Sequence, residues 1–325
     1  MQSWFKTNWK FKKFPVLLIL SFYLFWTASA FGDEGVRFRA DHMILESVTD
    51  GVRIFAATQT GKINQFNLKT NQAEPDLISL PPMDEDSFPP TIFSLALSPS
   101  RQTLAAGNSL GQIMLFSTNP PRLIKKQAIP GIENVLVVRF LDENRILLGL
   151  IDGTVRLIDI QQEKEIYRVQ VEMDPVNNIQ LSPDRSLMAV TTAASTIKII
   201  NTETGTLVQE LDGHRDTVYG VTFVGNDQVL SGSKDKKLLL WNLKRGKPTQ
   251  LYYSDFYINS VAWNGKEKIA FHLPNFEIGI FNLSTRKLEQ RLTGHTAFIN
   301  TLHFINPNTL LSSGNDARIF VRPLQ

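Results

Sequence analysis

The chain has 325 residues, 42% of them hydrophobic, with no cysteine and a formal charge of +3. Without cysteine it can hold no disulfide, zinc–thiolate centre, thiol nucleophile or thiol-linked lipid. Four of the 34 basic residues (Lys6, Lys10, Lys12 and Lys13) precede any folded segment, leaving 30 basic against 31 acidic side chains. A body of balance −1 lacks the basic surface that phosphate contacts need, so nucleic acid is discounted as a partner.

The first 30 residues read as a leader. Lysines open it, residues 16–26 (VLLILSFYLFW) form an apolar stretch, and Ala28-Ser29-Ala30 supplies the small residues of a cleavage site. Those are the three parts of a secretory signal. Extended to 14–31, the apolar part could just span a bilayer, so an uncleaved anchor is the alternative. The leader therefore implies a periplasmic or secreted protein, or one anchored with its body on the exported side. Membrane contact is expected only if the leader stays attached.

Residues 36–40 (VRFRA) alternate apolar and basic side chains as a strand does, and Asp41-His42 follows. Beyond it a seven-residue phrase recurs: a turn residue, two small or polar residues, then a strand with a bulky end. Copies occur at 60–66 (TGKINQF), 110–116 (LGQIMLF), 152–158 (DGTVRLI), 194–200 (ASTIKII), 235–241 (DKKLLLW), 275–281 (NFEIGIF) and 316–322 (DARIFVR). Their last residues are separated by 50, 42, 42, 41, 40 and 41 positions. A period of about 40–45 residues built from short strands marks a propeller blade. The reading is an all-β, seven-bladed β-propeller of four-stranded antiparallel blades, with residues 31–325 forming one domain. The last unit stops after its third strand, so residues 36–40 are expected to supply its fourth and close the ring.

In the fifth unit, Gly213-His214 opens the blade, Ser231-Gly232-Ser233 precedes Asp235, and Trp241-Asn242 ends it. These residues resemble the WD-repeat family of β-propellers. The resemblance implies a hydrogen-bonded chain bracing the blade through His214, Ser231 or Ser233, Asp235 and Trp241. The last unit matches in part, with His295 and Asp316, but Arg322 stands where the family has Trp. His42 is expected to play the same structural part as His214 and His295.

Chemistry is sparse in the rest of the chain. No phosphate-cradling glycine loop, EF-hand or nucleophile elbow occurs. Equivalent inner-strand positions near the axis hold Ala96, Arg139, Gln180, Thr222, Ala262 and His303, a ring with no carboxylate cluster. Asp84-Glu85-Asp86, inside the insertion 81–90, reads as a solvated loop. No metal, cofactor or catalytic residue is expected. Loops on one face carry Arg215, Lys234, Lys236, Phe256, Tyr257, Phe276 and Phe298, residue types that dominate protein interfaces. The competing reading packs Phe256, Phe276 and Phe298 between blades.

The function expected is a non-enzymatic, monomeric interaction scaffold or accessory factor in the periplasm or outside the cell. Its partner would be another protein or an envelope complex. Family resemblance adds one specific option, an accessory protein of a periplasmic respiratory (nitrate) reductase system. The alternative is a propeller enzyme or small-ligand binder using the central channel.

Overall fold

The computed structural model describes residues 35–324, which contain seven four-stranded antiparallel sheets. The innermost strands of blades 1–7 are Ile44–Thr49, Ile92–Leu97, Val135–Phe140, Asn178–Leu181, Val218–Phe223, Val261–Trp263 and Ile299–Asn306. Strands such as Val135–Phe140 and Val218–Phe223 are rich in β-branched and aromatic residues, which suit a pleated surface, whereas those of blades 4 and 7 are mostly half-buried. Second strands such as Gln228–Ser233 and third strands such as Lys237–Asn242 are largely buried, whereas outer strands such as Lys164–Gln170 alternate exposed with half-buried residues.

Tight turns join the second and third strands, and glycine at the left-handed position makes them possible in blades 1–3. Gly61, Gly111 and Gly153 have φ of 72°, 66° and 75°. A Cβ on Gly111 would lie 1.9 Å from the Ile132 carbonyl oxygen, so space as well as torsion requires glycine there.

The core is distributed around the ring. Seven buried apolar clusters occupy the seven blade–blade contacts, and the seventh joins blade 7 to blade 1 through Phe38, Ile44, Ile54, Phe66, Leu311 and Ile319. Closure comes from the amino-terminal strand Val36–Arg39, which pairs antiparallel with Arg318–Pro323 in the register Val36↔Val321 and Phe38↔Ile319. Phe38 is buried and packs 5.2 Å from the Phe66 ring. The strand expected to complete the last blade does so.

Candidate functional site

In blade 5 the braced chain is continuous. Trp241 Nε1–H donates to Ser231 Oγ at 2.8 Å, and Ser231 Oγ lies 2.8 Å from His214 Nε2. His214 Nδ1 is 3.0 Å from Asp235. The indole can only donate, so Ser231 passes its proton toward Nε2 and His214 donates from Nδ1 to the carboxylate. Asp235 also accepts the backbone N–H groups of Arg215 and Lys237, each at 3.0 Å. Burial works against the Asp235 charge, but the Arg215 N–H and His214 overcome it and hold its pKa below the usual carboxylate range. Burial dominates at His214 and pushes its pKa down. Of the two candidate serines, Ser231 joins the chain; Ser233 Oγ donates to Asp216 O and accepts from Asp235 N. The order Ser–His–Asp looks like a nucleophile with its base. Ser231, however, is 0% exposed and already accepts the indole N–H, so no substrate can reach it as placed.

Blade 7 repeats three members. His295 Nδ1 lies 3.0 Å from Asp316 and Nε2 lies 3.0 Å from Ser312 Oγ. Arg322, in place of the indole, is 3% exposed, stacks its guanidinium 4.0 Å above the Phe320 ring and donates to Thr293 O, while Nη1 has no partner. Burial, with Arg37 nearby, lowers its pKa to about 10. His42 does not follow this pattern. It is exposed, because in blade 1 the registers put Ala56 where Ser231 stands and leave Thr60 where Asp235 stands.

The expected interface residues divide into two groups. Phe256 and Tyr257 stack at 4.0 Å, Phe298 stacks 5.6 Å from Tyr257, and Phe276 meets Phe298 edge-on at 5.5 Å. Tyr219, which the sequence reading passed over, joins 5.9 Å from Tyr257. All five are half-buried, so they pack against one another and still present surface. Beneath them His272 is 0% exposed, with Nδ1 3.3 Å from Tyr257 O and Nε2 without a partner. Burial lowers its pKa to about 4. Arg215, Lys234 and Lys236 stand apart as exposed cations on the neighbouring blade 5 loops, and Lys234 pairs with Asp216 at 3.6 Å. Among the described residues none of the three stacks on an aromatic ring.

Phe276 has a strained backbone. Its φ is +60°, at the turn position that glycine fills in blades 1–3, and a bulky side chain there is an outlier. Asn275 beside it has φ +61°. The insertion 81–90 closes on itself through Ser87, whose Oγ accepts from Met83 N and Asp84 N. It leaves Met83 71% and Phe88 92% exposed.

Ala96, Arg139, Gln180, Thr222, Ala262 and His303 all line the central channel, a cavity of about 500 Å³ that opens to solvent. The channel also contains a carboxylate that the sequence reading missed. Glu46, on the first blade's inner strand, pairs with Arg139 at 2.9 Å and accepts from Ser94 Oγ and Leu95 N. Arg139 in turn donates to Ile179 O, so this one pair ties together the inner strands of blades 1, 2, 3 and 4. Among the described residues no group of three His, Asp or Glu could hold a metal ion, and no helix is long and apolar enough to cross a membrane. The leader at 1–30 lies outside the described residues.

Known proteins carry the same signals. The family model "WD domain, G-beta repeat" matches residues 205–242 and 286–321, the regions of blades 5 and 7 that contain the two histidine chains. The chain is 27% identical over 183 residues to human THO complex subunit 6, covering 49% of this chain and 52% of that protein. It is 28% identical over 151 residues to the WD repeat-containing protein 89 homolog of Dictyostelium discoideum, covering 45% and 42%. The chain thus spans about half the length of the curated relatives it matches. A chain from the crystal structure of the mitotic checkpoint complex superposes with a TM-score of 0.76 at 14% identity, covering 94% of this chain and 98% of that one, which supports the fold. These sequence relatives are eukaryotic, from human, rat, mouse, plant and Dictyostelium. They overturn the expectation of a periplasmic or secreted location, with its membrane-anchored alternative, and lend nothing to an envelope complex or a periplasmic reductase. The sequence period, the seven closed blades, the histidine chains and these matches agree: the chain is a seven-bladed β-propeller that carries WD repeats in blades 5 and 7 and is similar to WD-repeat proteins.

Proposed function

We propose that this protein is a non-enzymatic interaction scaffold that engages a protein partner through the face carrying Tyr219, Phe256, Tyr257, Phe276 and Phe298. The observation that carries the reading is Phe276. A bulky residue in a left-handed turn costs on the order of 1–3 kcal/mol, and glycine would relieve it. Such strain persists where the side chain serves something besides folding, and this ring extends a half-exposed aromatic cluster. Aromatic residues in a partly desolvated cluster are the usual anchors of protein interfaces. Several relatives are, by name, subunits of a THO complex, which supports a scaffold acting within an assembly.

Affinity capture tests this with wild type, Phe256→Ser and Phe276→Gly side by side. The proposal expects one set of partners to be retained by wild type and lost from both variants, whose melting temperatures stay within a few degrees. Equal recovery from all three would refute it.

A further inference from the structure

The opposite mouth of the channel, formed by turns between first and second strands, is asymmetric in charge. Arg101 and Arg185 occupy matching positions in two Ser-Pro-x-Arg turns of blades 2 and 4, both in left-handed backbone (φ 60° and 61°), and both line the cavity. Arg139 of blade 3 stands between them on the wall. Carboxylates do not balance this charge. Glu46 is taken up by Arg139, Ser94 and Leu95 N. Glu143, near Arg185, is bound to Ser100 N and Oγ. Arg185 donates to the carbonyls of Phe140 and Leu141 and has Glu143 within electrostatic reach, so three guanidinium groups at this mouth face two carboxylates that are both already hydrogen-bonded to other groups. Among the described residues Arg101 has no side-chain hydrogen-bond or ion-pair partner.

Across the channel, His303 faces the same space, and Trp263 and Phe140 add apolar rim. Low-dielectric walls around fixed cations strengthen attraction for anions. Planar guanidinium forks match the paired oxygens of phosphate or carboxylate.

We infer that this mouth binds a small polyanion bearing phosphate or carboxylate groups, held by Arg101 and Arg185. Such a site lies on the face opposite the aromatic cluster and stands or falls separately from the partner-binding proposal.

Titration calorimetry of the full chain at low ionic strength tests it, with inorganic pyrophosphate and citrate as separate probes for the two chemistries. Expected is a dissociation constant below about 100 µM for at least one probe, weakened about tenfold or more in Arg101→Ala and further in Arg101→Ala/Arg185→Ala. Arg101 makes no side-chain bond that folding could miss, so its variant separates binding from stability. Arg215→Ala, on the other face, should leave affinity unchanged. Absence of binding by both probes at 1 mM would overturn the inference. So would Arg101→Ala binding as tightly as wild type, or Arg215→Ala losing as much as Arg101→Ala.

Discussion

Blades 5 and 7 have the same brace with one member changed. In both, a histidine bridges a buried serine and the aspartate of the turn at nearly equal distances. The fourth position differs: Trp241 is buried and satisfies Ser231, while Arg322, at the equivalent register position, is a buried cation stacked on Phe320 with one nitrogen unpaired. The first three members therefore set the turn, and the fourth is a question of volume and of what the serine receives. Blade 7 also differs in the source of its outer strand, which is Val36–Arg39 rather than the segment that follows its third strand.

The sharpest way to break this comparison is to remove that strand. Deleting residues 35–40 takes Phe38 out of the core and four paired residues from blade 7. At about 2 kcal/mol for the phenyl ring and about 1 kcal/mol per lost ladder bond, the loss is roughly 5 kcal/mol or more. Calorimetry should show a fall in Tm above roughly 10 °C; an unchanged melt would mean blade 7 stands unaided.

Exchanging the fourth residues sharpens it next. Trp241→Arg should cost about 3–5 kcal/mol in urea unfolding, through lost packing and an unpaired buried charge. Arg322→Trp should gain about 1 kcal/mol, by removing a desolvated cation and giving Ser312 a donor. Losses of similar size in both blades would show that the two positions are not equivalent.

Blade 6, between them, has no brace, and its His272 stands at the position of Gly232 and Ser313. Burial holds His272 neutral in the folded state, with a pKa near 4 against an ordinary 6.5. Because the folded value is depressed, its stabilising effect is full above pH 6.5 and is lost as pH falls toward 4. That difference amounts to about 3 kcal/mol. Denaturation midpoints measured across this range should decline, and His272→Phe should flatten the decline. A decline of the same depth in the variant would assign it to other groups.

The smallest effect is expected at Phe276→Gly, where relief of the left-handed backbone offsets the lost ring contacts, each on the order of 1 kcal/mol. Stability measured by urea unfolding should change little.

Much of the fold was legible because turns and alternating strands are local signals that recur seven times, and because residues 36–40 alternate apolar and basic side chains as a strand does. The blade 5 brace was legible from His214, Asp235 and Trp241 at family spacing, although only coordinates choose Ser231 over Ser233. Glu46 was missed because it lies ahead of the first recurrent phrase, where no earlier unit offers an alignment. Tyr219 was missed because Val218, Val221 and Phe223 already satisfied the strand pattern. His42 failed because a histidine after a strand is a brace only if serine and aspartate meet it, and Ala56 and Thr60 do not. The aromatic cluster joins an inner-strand residue of blade 5 to loops of blades 6 and 7, a juxtaposition that no single stretch of sequence encodes.

The interaction face is tested most directly by a photoreactive phenylalanine analogue placed at position 256 or, on the opposite face, at position 102. The proposal expects a discrete protein cross-link from position 256 and none from position 102. Cross-links from position 102 alone, or equally from both, would contradict it.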